Sequence, residues 1–132
     1  VWEAIKYLKV ARIDHGYHIL DDPILTEKVT QEKIPLTTCP LSAFKLNHIT
    51  PLEKFPVKTM MKLGMIPTIN SDDPAYFGGY LNENYYETAK ALKLNAEDLV
   101  ILAKYSIMAS YVSYEKKVDL YNSIDRIYYE IF

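Results

Sequence analysis

A single cysteine, Cys39, in 132 residues leaves no internal disulfide to form and fits a reducing compartment, read here as the cytoplasm. No apolar run approaches the roughly 20 residues that cross a bilayer. The opening VWEAIKYLKV is broken by charges and no small-residue cleavage pattern follows, so it does not read as a secretion signal. Neither sign of charge forms a long run. The 15 basic and 17 acidic residues leave a formal charge of −2, which argues against a nucleic-acid footprint or a polybasic membrane surface. Twelve tyrosines lack a basic stripe beside them, so they read as packing surfaces rather than platforms for stacked bases. The phosphate-cradling pattern G-x-G-x-x-G is missing too.

What remains is a hydrophobic share of 49%, enough for one core at a one-domain length. The first residue is not Met and sits inside a helical pattern, so residues 1–132 are expected to be part of one longer domain, with no second domain.

Helix and strand patterns alternate along the chain. Residues 1–8 read as a helix, and Val10 to Asp14 as a short strand ending at His15. Asp21 or Asp22 can cap a helix that has Pro23 in its first turn and runs to about Glu32. Ile34 to Thr38 is the next strand, followed by a loop through Pro51. A helix from Pro56 to Leu63 is closed by Gly64. Ile66 to Asn70 forms the third strand. Helices are then expected from about Leu81 to Leu92, from a cap at Asn95 to about Tyr111, and from Ser113 to the end.

Strands separated by helices imply parallel pairing. All three strands end in polar or reactive residues: His15, Thr38-Cys39 and Asp72-Asp73. A TIM barrel collects such residues on one rim, and a doubly wound sheet is the competing architecture. A whole barrel needs eight strands and about 250 residues.

The chemistry concentrates in Asn70-Ser71-Asp72-Asp73-Pro74. Adjacent carboxylates repel each other unless a cation or a donor engages them, and successive side chains at a strand end can serve different partners. An ordinary Asp-Pro turn is the bland alternative. The second constellation is Arg12-Ile13-Asp14-His15-Gly16.

Together with Pro35-Leu36-Thr37-Thr38-Cys39-Pro40-Leu41-Ser42, the full run NSDDPAYFGGY from Asn70 to Tyr80, and a fainter match in AKYSIMAS from Ala103 to Ser110, these segments resemble the adenosine/adenine/AMP deaminase family. The adenine deaminase branch is the closest. The resemblance implies an α/β fold, the C-terminal part of a TIM (β/α)8 barrel with about three parallel strands and further C-terminal helices. It implies zinc-dependent hydrolysis of a 6-aminopurine, most directly adenine to hypoxanthine plus ammonia in purine salvage. Adenosine deaminase, or a non-catalytic remnant acting as an interaction module, are the alternatives; AMP deaminase would need basic phosphate-binding residues that do not cluster near these motifs.

Carried over residue by residue, the resemblance makes Asp72 a zinc ligand, Asp73 the carboxylate that binds the purine ring, and His15 the imidazole beside the zinc-activated water. A carboxylate oxygen binds zinc at about 2.0–2.2 Å, and a catalytic centre takes several protein ligands plus a water. The family's other ligands, three histidines, and its acid/base glutamate lie in segments with no counterpart here. The chain alone is therefore expected neither to hold stoichiometric zinc nor to deaminate adenine, and to require the N-terminal part of the barrel. His18 and His48 read as loop residues, and Cys39 as a buried small residue without a His–Asp pair to activate it. Phe77 and Tyr80 either close around a planar base or pack beneath their loop. Ala43 and Tyr105 replace family asparagines, which weakens transfer of loop detail and substrate preference.

Overall fold

Three parallel strands lie side by side in chain order: β1 (Ile13–Asp14), β2 (Pro35–Thr38) and β3 (Ile66–Ile69). The computed structural model describes residues 1–132. Ile13 pairs with Leu36 and Asp14 with Thr37, while Pro35 to Thr38 run in register with Ile66 to Ile69. Both ladders continue past the strands. The His15 N–H donates to Thr37 O at 3.0 Å, and the Asn70 N–H donates to Thr38 O at 2.9 Å. The residues that leave the sheet toward the site are thus still tied to it. Asn70 points its N–H at β2, so Pro67, three positions earlier, turns its nitrogen away from β2, and its missing donor breaks no bond of the β2–β3 ladder.

Helix α1 (Pro23–Gln31) connects β1 to β2. Its cap is Asp22, whose side chain accepts from the Ile24 and Leu25 N–H groups, with Pro23 in the first turn. Such a cap contributes about 1 kcal/mol, while fully burying Leu25 and Val29 contributes about 1.5–3 kcal/mol each. Packing, not propensity, holds this nine-residue helix. Leu25 and Val29 meet Ile5, Ile19, Ile34, Leu36, Met60 and Met65 in one apolar cluster against which Ile13 also packs. In-register Ile13 and Leu36 therefore face the helices, and Asp14, Thr37 and Thr68 form the row on the opposite face.

Between β2 and β3 lie α2 (Pro40–Lys45) and α3 (Val57–Lys62), the second closed by Gly64 at φ 78°. The expected loop through Pro51 thus begins with a helix. Pro40 is pre-set for a first turn, and Leu41, Ser42 and Ala43 are all buried. The Leu41 N–H finds its acceptor in the side chain of Asn84, far along the chain. Ala43 is core, packed with Phe55, Val57, Ile69 and Leu102. The expected strand from Val10 shortens to two residues: the chain first forms a π-helical turn over Ala4–Leu8, whose Ala4 O accepts from the Lys9 and the Val10 N–H groups.

After β3 come α4 (Pro74–Phe77), a single turn where the sequence leads one to expect an Asp-Pro turn, then α5 (Leu81–Leu92), α6 (Ala96–Ala109) and α7 (Tyr114–Ile131). Asn95 and Asp98 form a reciprocal capping box on α6, and Ser113 caps α7. The Arg12 guanidinium closes the other end of α6, donating to Ala109 O at 3.1 Å and lying 4.7 Å from the centre of the Tyr111 ring. Parallel strands in chain order, helices between them and polar residues at their C-terminal ends make this a segment of a (β/α)8 barrel with C-terminal helices.

Candidate active site

The strand ends bring His15 and Asp72 together. Their ligand atoms and the Cys39 sulfur all lie within 4.8 Å of one another. Both residues leave the sheet in the left-handed region, His15 at φ 61° and Asp72 at φ 55°. Asp visits this region more readily than most residues, because its short polar side chain can bond locally. The Asp72 side chain bonds not locally but across the fold to Ser42, whose buried hydroxyl donates to Oδ2 at 2.7 Å. Oδ1 of Asp72 stays available. His15 and Asp72 are exposed to a hollow of about 470 Å³, bordered also by Asp14, Asn70 and Leu81. A wider hollow of about 760 Å³ continues from them toward His18 and His48.

Asp73 points elsewhere. It occupies the cap position of α4, where its carbonyl accepts from the Tyr76 and Phe77 N–H groups while its side chain makes no capping bond. Its carboxylate borders a separate hollow with Pro74, Tyr76 and Phe77. Adjacent in sequence, the two carboxylates therefore serve different spaces. Phe77 is buried and meets Tyr76 edge-on at 4.9 Å, whereas the Tyr80 ring is exposed.

Cys39 is buried beneath the pair. Desolvation, with the neighbouring Asp72 and Asp14 charges, pushes its thiol up to about 12, so it is protonated and inert as a nucleophile at neutral pH. Tyr17 braces the same spot. Its hydroxyl accepts from the Cys39 N–H at 2.8 Å, its ring packs edge-on against Phe55, and burial raises its phenol well above the ordinary value. His18 pairs with Asp21 on an exposed turn, with 2.7 Å between Nδ1 and Oδ2, and His48 is exposed on its loop.

Several supporting residues stood inside the quoted motifs without a role. Besides Ser42, Thr37 Oγ1 donates to Asp14 Oδ1 at 2.6 Å. Asn70 Nδ2 donates to Thr38 O and Thr68 Oγ1, clamping β3 to β2 directly beneath the carboxylates. The one available signal for Ser42 was Pro40, which marks a helix start and so places Ser42 in the first turn.

As a donor set, an open carboxylate oxygen beside an imidazole with no hydrogen bond in the chain suits zinc, but one carboxylate supplies only part of a catalytic centre. The residues fit a share of such a site.

The family model described as adenosine deaminase matches residues 1–127. A curated adenine deaminase of Crocosphaera subtropica is 48% identical over 121 residues, covering 92% of this chain and 37% of that protein. The chain thus spans little more than a third of the length of such relatives. Among solved structures, the adenine deaminase from Arthrobacter aurescens superposes with a TM-score of 0.92 at 36% identity, over 95% of this chain and 38% of that one. An amidohydrolase from Burkholderia ambifaria, solved with bound zinc, gives a TM-score of 0.81 at 25% identity, over 94% and 36%.

Proposed function

This chain belongs to the adenosine deaminase family, and we propose that, within a complete barrel, it takes part in zinc-dependent hydrolysis of a 6-aminopurine, adenine by preference, to hypoxanthine and ammonia. The balance is simple: one water adds its oxygen at C6 and the amino group leaves as ammonia. The observation that carries the reading is the meeting of His15 and Asp72 within 4.8 Å beyond the ends of β1 and β3, across the end of β2. Residues 1–132 would form one part of a single catalytic domain working in the cytoplasm in purine salvage, the rest of the barrel supplying the remaining ligands and the acid/base group.

Each residue's task follows from its position. Asp72 would hold the zinc through the oxygen that Ser42 leaves open. When bound, zinc makes a water nucleophilic near neutral pH. His15, on a backbone tied to Thr37, would orient the attacking oxygen and steady the charge that develops as C6 is attacked. Asp73, with its side chain free of capping duty, would bind a ring nitrogen of the base, which would reach from the His15–Asp72 hollow to the one beside α4. Support for adenine over adenosine comes from the adenine deaminases at 48% and 36% identity.

In the full-length protein, Asp72→Ala should lose zinc and turnover together, while Asp73→Asn should keep zinc and bind adenine poorly. Metal analysis after dialysis, paired with turnover of adenine and of adenosine, checks both. An Asp72→Ala protein that stays fully loaded and turns over normally refutes the assignment, and faster turnover of adenosine moves the reading to the nucleoside.

A further inference from the structure

We propose that Ser42 is a positioning residue for the metal ligand: its hydroxyl fixes the Asp72 carboxylate in the one orientation that offers Oδ1 to the cation. The inference deepens the proposed function and rests on Asp72 being a zinc ligand. Three observations carry it. Asp72 is exposed and sits in the left-handed region, so neither packing nor an ordinary strand backbone restrains its side chain. The single bond that does restrain it is the 2.7 Å contact from Ser42. Ser42 is itself held: it is 1% exposed, in the first turn of α2.

That turn is anchored from outside. The fully buried Asn84 of α5 accepts from the Leu41 N–H at 3.2 Å and donates to Gly79 O and Tyr80 O. Asn84 therefore bolts the start of α2 to the Gly79–Tyr80 segment, and α2 presents Ser42 to Asp72. A donor whose own backbone cannot drift is what a ligand-orienting contact requires, and such contacts govern metal affinity as well as activity.

The test uses full-length protein and reads zinc affinity by competition with a chelator, with the apo and zinc-loaded melting points beside it. Ser42→Ala should weaken zinc binding by about 10–100-fold, with the apo melting point unchanged and turnover restored by excess zinc. Ser42→Thr, which keeps the hydroxyl, should recover most of the affinity. Asp72→Ala is run in parallel as the reference. If Asp72→Ala loses zinc but Ser42→Ala binds it like the parent protein, the positioning role is overturned and the proposed function stands. A lowered apo melting point with unchanged zinc affinity also overturns it, in favour of a purely structural serine. If Asp72→Ala itself retains parent-like affinity, the ligand assignment fails and this inference with it.

Discussion

Replacing Asn84 with alanine should cost more than any other single polar truncation near the site, and the reason is countable. The Asn84 side chain is fully buried and makes three hydrogen bonds, to Leu41 N, Gly79 O and Tyr80 O. Tyr80 O keeps a partner in the mutant because it also accepts from the Asn84 backbone N–H at 3.1 Å. The Leu41 N–H and Gly79 O lose theirs. Leu41 lies in the first turn of α2, where no intrahelical acceptor exists, so its donor has nowhere to turn. Each orphaned buried group costs about 1–3 kcal/mol, so the two together cost roughly 2–6 kcal/mol, and the vacated volume adds to this. Asn82, exposed on the same helix, is the control: Asn82→Ala should stay within about 0.5 kcal/mol. Thermal unfolding of the full-length variants ranks the two, and amide hydrogen exchange reports on the Leu41 N–H itself. Asn84→Ala should lower Tm by several degrees and raise exchange through residues 40–45 and 78–81. An Asn84→Ala protein as stable as Asn82→Ala, with Leu41 still protected, would refute the bolt.

Two further outcomes follow from local geometry. A Cβ added at Gly79 would overlap the Leu41 side chain at Cδ1, whereas at Gly78 it meets open space but a backbone at φ 75°. Gly79→Ala should therefore destabilise by about 1–3 kcal/mol through overpacking and exceed Gly78→Ala, at about 1 kcal/mol; thermal unfolding in the reverse order would contradict the close approach. Asp22 sits below its ordinary carboxylate value because the Trp2 Nε1–H, then the Leu25 and Ile24 N–H groups, donate to it. With the folded value depressed, its contribution is present above the ordinary value of 3.8 and is lost as pH falls through the lower folded one. Trp2 emission should shift across that acid window in the parent and not in Asp22→Ala.

The sheet and most helices were legible because their signals are local. Asp22-Pro23, Asn95 with Asp98, Ser113 and Gly64 each mark a boundary by chemistry within a few residues, and the strands carry their apolar runs openly. Helix α2 was not legible because its decisive partner, Asn84, comes from α5, 43 residues on. Helix α4 was hidden for the opposite reason: a single turn of four residues offers no periodicity to read.

Inside the site the division is the same. His15 and Asp72 were readable as chemistry at strand ends, and parallel register brings them together. The Ser42–Asp72 contact joins residues 30 apart across the β2–β3 connection, and only the folded register reveals it. The separation of Asp72 from Asp73 has a similar origin. Strand alternation alone would send the two side chains to opposite faces, but the chain has already left the sheet at Asn70. The left-handed turn at Asp72 and the helix that Asp73 caps redirect it, so one carboxylate turns back toward Ser42 and His15 while the next opens on the hollow beside α4. Two acids side by side can thus face unlike surroundings because the backbone between them changes hand, and a substitution at Asp72 that resists φ near 55° should disturb Asp73 as well as the contact with Ser42.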